Sequence, residues 1–325
     1  MIIKSDYRLP SVTDGYRVLL RNKHLNDSEH ELLGESVLFV HGATYGSTLT
    51  FDFAIDGESW MDAMAMAGFD VWCLDLLGYG GSDRPHEMNQ PAEANAPLVD
   101  TAHAVAEVDR AVDYILKDRD IPRINLIAYS WGSAICGSYA GQFAGKVAKL
   151  VLSGALWVSE GAGALSATKK GTIASGPGAY RTVDAEAMAK RWAIGLEPEA
   201  FEQVVSPEVV SAWCEAVVNC DPEGPETGVL RAPTGVQKDF LACSASGKPW
   251  YDPSLIQAPT QIVVGELDRE TTPGQGREVF QRLTGATEKR MTVIGGGTHS
   301  LLLENQRAAL YDVVSSFFRP VQAPQ

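Results

Sequence analysis

The sequence is poor in positive charge and in long apolar runs, and each shortage excludes a class of protein. Of its 325 residues only 27 are Lys or Arg, against 41 Asp or Glu, which gives a net charge of −14. Nucleic acid and anionic membrane surfaces are therefore unfavourable partners, because both are bound through clustered cations. No run approaches the ~20 apolar residues of a membrane-spanning helix. The start, MIIKSDYRLP, has only a two-residue apolar run, so we expect no signal peptide.

Cysteine is also scarce, and no two of the five cysteines have CxxC spacing. Cys73 and Cys136 lie in apolar runs, which indicates buried thiols rather than a disulfide framework. A reducing, cytoplasmic location is therefore expected. Since no His and Cys cluster has the spacing of a metal site, the sequence predicts neither a metal nor an organic cofactor.

What the sequence does contain is an alternation of strand and helix patterns, with 45% hydrophobic residues to build a large core. Short apolar runs predict buried strands at 35–42 and 68–78, and further strands are predicted at 124–129, 149–154, 260–266 and 289–294. The stretch YRVLLRNKHL at 16–25 alternates and predicts an edge strand. Helical spacing recurs at 100–119, with Asp100 as N-cap, and at 131–144, 274–283 and 305–318. This order predicts an α/β fold with a mostly parallel central sheet flanked by helices.

The alternation stops between residues 157 and 247. This stretch is rich in Gly and Ala at first and then becomes helical, in DAEAMAKRWAIGL and PEVVSAWCEAVV. A structureless loop of this length is uncommon, and the apolar spacing argues against a disordered linker. We therefore predict a mainly helical cap at 157–247, inserted between a first core segment, 1–156, and a second, 248–325.

The stretch LIAYSWGSAI, residues 126–135, places Ser130 between a predicted strand and a predicted helix. Tight backbone geometry at such a turn presents the hydroxyl at the carboxyl edge of the sheet, where open α/β sheets bind ligands. Strand and helix approach closely there, so the residues two positions away must be small, as Ala128 and Gly132 are. Taken alone, the pentapeptide fits an ordinary N-cap serine equally well.

A nucleophilic serine needs a base and an orienting acid. His299, in the glycine-rich loop GGGTHS after the last predicted strand, is the candidate base. Asp268, on the turn after another strand, is the candidate acid, with Glu266 and Glu270 as alternatives. A turn-capping aspartate and a surface histidine are the non-catalytic interpretations. The order Ser, Asp, His, each after a different parallel strand, favours a hydrolase.

A hydrolase also needs donors for a developing oxyanion. The stretch LFVHGATYGS ends a strand and turns, so the backbone N–H groups of Ala43 and Trp131 are the candidate oxyanion hole. His41 in the same stretch is interpreted as structural, because its ring is placed to hold the turn.

Together these stretches resemble the α/β-hydrolase fold superfamily, in its serine esterase and lipase-like branch with a helical cap. The resemblance is carried by VHGAT, LDLLGYGGSDRP, AYSWGS, GELDRETTP and GGTHS, and it covers about 30–156 and 248–320 but not the cap. It implies that Ser130 attacks a carbonyl with His299 as general base, while Asp268 orients the imidazole. It also implies that the stretch from Asp75 to Ser82 is a structural turn.

Two departures from the family pattern narrow the range of activities that the resemblance implies. Ala128 replaces the first Gly of G-x-S-x-G, and the oxyanion turn lacks an HGGG or HGGPG motif. A serine at the nucleophile position disfavours haloalkane dehalogenases and epoxide hydrolases, and the missing Gly-rich loop disfavours prolyl aminopeptidases and C–C hydrolases. The expected activity is therefore hydrolysis of a carboxylic ester or lactone. An amidase, an aminopeptidase or a C–C bond hydrolase is the alternative, and a non-catalytic small-molecule receptor is a further class.

The cap and its flanks are rich in aromatic residues, which favours a small apolar or aromatic substrate. Tyr45, Trp192 and Trp213 are the candidate substrate-binding residues, and the motifs place Tyr45 and Trp131 beside the reacting carbon. Basic residues in SATKKG, in AKRW and at Arg181 could attract a substrate carboxylate, but we favour a solvated face for them. The sequence leaves a homodimer open.

Overall fold

The computed structural model describes residues 1–26, 36–157 and 176–319, and its central element is an eight-stranded sheet. The strands are β1 (Ile2–Pro10), β2 (Arg17–Leu25), β3 (Ser36–Val40), β4 (Asp70–Asp75), β5 (Ile124–Tyr129), β6 (Val147–Ser153), β7 (Tyr180–Asp184), β8 (Val229–Pro233), β9 (Thr260–Gly265) and β10 (Lys289–Ile294). The order in the large sheet is β1-β2-β4-β3-β5-β6-β9-β10, and β7 pairs with β8 in a separate ribbon.

Helices lie on both faces of the sheet and in the insertion. They are α1 (Ser47–Thr50), α2 (Trp60–Met66), α3 (Thr101–Arg119), α4 (Trp131–Gln142), α5 (Ala185–Trp192), α6 (Pro198–Val204), α7 (Pro207–Asn219), α8 (Gly224–Thr227), α9 (Gly235–Ser246), α10 (Pro273–Arg282) and α11 (Arg307–Phe318). Short 3-10 helices occupy His86–Asn89, Ala92–Ala94, Ala144–Lys146, Pro253–Leu255 and Leu301–Leu303. In the part of the chain that the structure describes, no helix is both long enough and apolar enough to span a bilayer.

The predicted α/β fold is confirmed, and its cause is visible in the central strands. All neighbouring strands from β4 to β10 in the sheet run parallel. Successive residues of β3 point to opposite faces, and both faces are buried: Val37 and Phe39 pack with α2 and α11, whereas Leu38 and Val40 pack with α3 and α4. As predicted, Asp100 caps α3, since its side chain accepts a hydrogen bond from the N–H of His103.

The prediction that 16–25 forms an edge strand is wrong. β2 lies inside the sheet, because β1 pairs with it in antiparallel register and forms the edge instead. The sequence of β1, IIKSDYRLP, has three consecutive polar residues at its centre, and only Leu9 is buried, so it contains no apolar run of the kind that marks a buried strand.

The insertion is not purely helical. Between β6 and β9 the described residues form the β7–β8 ribbon and helices α5 to α9. No strand was predicted there, because β7 is a partly exposed five-residue segment that pairs with a segment about 50 residues away. Most of the Gly- and Ala-rich stretch, including Lys169 and Lys170, lies outside the described residues. We refer to residues 176–247 as the cap.

Candidate active site

Ser130 lies on a sharp turn between β5 and α4. Its backbone angles, φ 55° and ψ −119°, are in a region that non-glycine residues rarely adopt. The turn is tight because α4 begins against the end of β3: a Cβ atom on Gly132 would lie 2.4 Å from the carbonyl oxygen of Val40. Ala128, two residues before the serine, is fully buried. Close backbone approach therefore requires the small residue at position 132, whereas the one at position 128 is packed in the core.

Three side chains from three separate loops form one hydrogen-bonded chain. His299 Nε2 lies 3.0 Å from Ser130 Oγ, and His299 Nδ1 lies 2.9 Å from Asp268 Oδ2. The loops follow β5, β9 and β10, whose carboxyl ends lie at the same edge of the parallel sheet. The structure thus brings the three predicted residues together in the arrangement of nucleophile, base and orienting acid.

The carboxylate of Asp268 is held by its own turn. Its Oδ1 accepts hydrogen bonds from the backbone N–H groups of Glu270 and Thr271, both at 2.8 Å. The hydroxyl of Thr271 donates to Asp268 Oδ2 at 2.8 Å and lies 3.0 Å from His299 Nδ1. Sequence reasoning missed Thr271, whose only signal was its position three residues after the candidate acid.

The two alternative acids are placed differently. Glu266 is exposed and accepts a hydrogen bond from the N–H of Gly296 at 3.1 Å. Glu270 is buried, but its Oε2 lies 3.9 Å from Nε2 of His299, on the side of the ring that faces Ser130. Of the three carboxylates, only that of Asp268 contacts Nδ1 at hydrogen-bond distance.

The charges around His299 favour its protonated form. Burial alone would lower its pKa, but the carboxylates of Asp268 and Glu270 outweigh burial and raise the pKa of His299 above its ordinary value. The imidazolium that would form on accepting a proton from Ser130 is therefore stabilised by two negative charges.

A buried glutamate fixes the loop that carries His299. Glu304 accepts hydrogen bonds from the N–H of Thr298 at 2.8 Å, from the hydroxyl of Thr298, and from the indole N–H of Trp192 at 2.9 Å. On the other side of the loop, the hydroxyl of Tyr129 donates to the carbonyl oxygen of His299 at 3.0 Å. Glu304 had no sequence signal, and it joins the histidine loop directly to the cap.

The turn after β3 passes directly against Ser130. A Cβ atom on Gly42 would lie 2.8 Å from Cβ of Ser130. Within the described ranges, neither the N–H of Ala43 nor that of Trp131 donates to another group, so both lack an acceptor in the absence of a ligand. His41 holds this turn: its Nε2 accepts from the N–H of Leu76 at 3.2 Å, and its Nδ1 lies 2.7 Å from the carbonyl oxygen of Gly42.

The prediction that Trp131 lies beside the reacting carbon is wrong for its ring. The indole is fully buried, and its N–H donates to the hydroxyl of Thr101 at 3.0 Å. As the first residue of α4, Trp131 directs its side chain onto α3 and away from the cavity at Ser130.

The turn from Asp75 to Ser82 is structural in its contacts. The carboxylate of Asp75 accepts from the N–H and hydroxyl of Thr48 at 3.0 and 2.9 Å and from the N–H of Gly81 at 2.7 Å. The hydroxyl of Ser82 donates to the carbonyl oxygen of Asp75. These bonds join the loops after β3 and β4 below the site.

The three predicted substrate-binding residues line one small cavity with Ser130 and His299. The ring of Trp213 lies edge-on to Tyr45 and to Trp192, with centroids 4.7 and 5.3 Å apart. The enclosed volume is only about 20 Å³, far below the ~300 Å³ or more of a typical ligand site. A larger cavity of about 650 Å³ between α5, α6 and α7 contains none of these residues and lies on the cap itself.

The interpretation of the basic cap residues as a solvated face is wrong for two of them. Arg191 on α5 donates through Nε to Glu270 Oε1 at 2.8 Å and through Nη2 to Oε2. Arg181 on β7 donates through Nη2 to the hydroxyl of Thr44, which also accepts from Arg191 at 3.3 Å. Of the basic residues in this set that the structure describes, only Lys190 is exposed as expected. Both guanidinium groups turn inward because the cap docks on the loops after β3 and β9.

Comparisons with known proteins agree with this architecture. A family model described as "alpha/beta hydrolase fold" matches residues 35–306. A comparison with curated protein sequences finds no match.

Among solved structures, three similar ones have different reported activities. A thermophilic esterase from Thermogutta terrifontis, solved with malate bound, has a TM-score of 0.61 and 15% identity, covering 97% of this chain and 98% of its own. An enol-lactonase from Burkholderia xenovorans has a TM-score of 0.60 and 18% identity, covering 96% and 99%. A meta-cleavage product hydrolase from Pseudomonas fluorescens has a TM-score of 0.61 and 15% identity, covering 96% and 97%. At these identities the likeness shows a shared fold alone.

Proposed function

Since the chain belongs to the α/β-hydrolase fold family, we propose that it is a serine hydrolase that cleaves a carboxylic ester or lactone through an acyl-enzyme. The observation that carries the proposal is the hydrogen-bonded chain from Ser130 through His299 to Asp268, placed against two amides that have no acceptor among the described residues. We also propose a cytoplasmic location, which suits the five free thiols.

In the proposed reaction, Ser130 Oγ attacks the carbonyl carbon while its proton moves to His299 Nε2. The N–H groups of Ala43 and Trp131 stabilise the oxyanion that forms. His299 then gives the proton to the departing alcohol, and a water molecule deprotonated by the same nitrogen releases the acid. Asp268 holds the ring with Nδ1 protonated and offsets the charge of the imidazolium.

Hydrolysis of a C–C bond is the second candidate, because one solved structure of this fold is a meta-cleavage product hydrolase. The turn at Ala43 favours ester hydrolysis, because it lacks the glycine-rich loop expected of C–C hydrolases. Amide cleavage is the third candidate. Parallel assays on p-nitrophenyl esters, p-nitroanilides and a vinylogous diketone distinguish the three activities.

The direct test is turnover of p-nitrophenyl butyrate by Ser130→Ala, with Ser138→Ala on the same helix as matched control. Among the described residues, the hydroxyl of Ser138 accepts a hydrogen bond from Gln142 alone, near the helix surface. We expect the first variant to lose ~10⁴-fold or more in kcat and the second to keep wild-type activity. A folded Ser130→Ala enzyme that retains turnover, or a wild-type protein inactive on every ester, would overturn the proposal.

A further inference from the structure

We propose that the substrate of this site carries a free carboxylate, and that Arg181 binds it beside the reacting ester. The inference rests on the proposed ester hydrolase and deepens it, since it names the chemical class of ester. It starts from a half-buried arginine that forms no ion pair with the described residues and has one buried N–H group without an acceptor.

Arg181 is the cation in question. It lies on β7 of the cap, and its Nη2 donates to the hydroxyl of Thr44. Its Nη1 is buried without a hydrogen-bond partner, and in the described chain Arg181 forms no ion pair. A guanidinium stays charged in proteins and has five N–H donors. A buried donor that is left unmet costs free energy, so the arrangement favours an acceptor that arrives with the ligand.

The position of Arg181 connects it to the reacting groups. Thr44 follows Ala43, a proposed oxyanion donor, and precedes Tyr45, a wall of the cavity at Ser130. Thr44 has a φ of 84°, a conformation that a β-branched residue rarely adopts, and its hydroxyl accepts from both cap arginines. The guanidinium of Arg181 therefore contacts the residue that directly follows the proposed oxyanion donor Ala43.

The other charges of the site are already paired. Arg191 is matched by Glu270 in a two-bond ion pair, and His299 by Asp268. Arg181 is therefore the charged group of this site that has no ion-pair partner among the described residues. A carboxylate fits the planar guanidinium with two parallel hydrogen bonds. A neutral apolar ester would leave Nη1 of Arg181 buried without an acceptor.

The cavity at Ser130 has a volume of only about 20 Å³, so binding of a substrate requires the cap to shift. Both arginines belong to the cap and both contact the core through Thr44. A carboxylate that enters between cap and core would replace the hydroxyl of Thr44 as the acceptor for Arg181. The Arg191–Glu270 pair does not need to break for this exchange.

The test uses pairs of esters that differ only in charge. On the acyl side, p-nitrophenyl hemiadipate is compared with p-nitrophenyl adipamate, in which a carboxamide replaces the carboxylate. On the alcohol side, 4-butyryloxybenzoate is compared with 4-butyryloxybenzamide. For wild-type protein we expect kcat/KM to favour the acid in at least one pair by roughly 10- to 100-fold, the effect of a hydrogen-bonded charge pair.

Arg181→Gln should abolish that preference, and the ratio within a pair cancels any general loss of activity. Lys190→Gln, which removes an exposed cap charge of the same sign, should leave the ratio unchanged. Should Arg181→Gln not fold, adipate and adipamide are compared as protectants of wild-type Ser130 against a fluorophosphonate, and only adipate should protect.

The outcomes separate the two proposals. Equal rates within both pairs, or a preference that survives in folded Arg181→Gln, or equal protection by the two compounds, would overturn the carboxylate subsite and leave the hydrolase intact. Absence of hydrolysis for all four esters would instead refute the proposed function on which it rests.

Discussion

Replacing Arg191 with Gln should shift the acid limb of the pH profile of kcat/KM to higher pH. Glu270 Oε2 lies 3.9 Å from Nε2 of His299, the nitrogen that must be unprotonated to activate Ser130. In the wild-type protein, burial would raise the pKa of Glu270, but the charges of His299 and Arg191 outweigh it and lower that pKa to about 2. Glu270 is therefore ionised, and Arg191 offsets its pull on the imidazole.

The magnitude follows from the distance. At 3.9 Å and an effective dielectric constant of ~20, a full charge on Glu270 would favour the imidazolium by up to ~4 kcal/mol, or ~3 pKa units. Arg191 cancels part of this attraction. One pKa unit corresponds to ~1.4 kcal/mol. If Arg191→Gln restores even a third of the attraction, the pKa of His299 and the acid limb rise by about one unit.

The sign can be checked on the wild-type protein first. Because the pKa of His299 is raised above its ordinary value of about 6.5, activity should fall as the pH drops through a midpoint above that value. In Arg191→Gln the unpaired Glu270 raises the pKa of His299 further, so activity at a given acidic pH should be lower still.

The assay is kcat/KM for a p-nitrophenyl ester from pH 5 to 9, with thermal melting to establish that each variant is folded. Glu270→Gln removes the negative charge and should move the limb below that of the wild type. The double variant should lie between Glu270→Gln and the wild type, because the charge of Arg191 itself lowers the pKa of His299. An acid limb that stays in place or moves to lower pH in folded Arg191→Gln would refute the reasoning.

Two further predictions concern the acid and the cap. Asp268→Asn should lower kcat by ~10⁴-fold, because the carboxylate that contacts Nδ1 of His299 is lost. Glu266→Gln changes an exposed side chain and should keep wild-type kcat. The reverse ranking would reject the assignment of Asp268 as the acid. Trp213→Ala opens the wall beside Tyr45 and should change the ranking of short against long acyl chains by ~10- to 200-fold, with Trp192→Ala as a comparison. If a chain-length series of kcat/KM falls by one common factor in both folded variants, the cap does not select the acyl group.

The sequence allowed the sheet and the candidate triad to be predicted because both depend on local signals. β3 and β5 are short apolar runs whose two faces are both buried, so their bounds follow from composition alone. The three triad loops follow three parallel strands, and parallel strands bring their carboxyl ends to one edge whatever lies between them. Spatial proximity of Ser130, Asp268 and His299 therefore follows from topology.

The inward arginines could not be predicted for the opposite reason. Basic residues on a cap helix are ordinarily solvated, and nothing local distinguishes Arg191 from its exposed neighbour Lys190. The partner of Arg191 is Glu270, 79 positions along the chain, and the acceptor for Arg181 is Thr44, 137 positions away. Only the docking of the cap on the core determines which cations are buried.

Long-range contacts also explain the other structural features that the sequence did not predict. The β7–β8 ribbon joins segments separated by the helices α5 to α8, and Glu304 joins the histidine loop to Trp192 across 112 positions. The ring of Trp131 is drawn away from the cavity by the hydroxyl of Thr101. None of these contacts leaves a periodic trace in the sequence.

The most direct test of the central claim is the site of covalent modification by a fluorophosphonate. Intact mass spectrometry of the wild-type protein should show one adduct, and peptide mapping should place it on Ser130, with labelling faster at pH 8 than at pH 5.5 because unprotonated His299 activates the hydroxyl. An adduct on any other residue, or continued ester turnover by protein fully labelled at Ser130, would contradict the account.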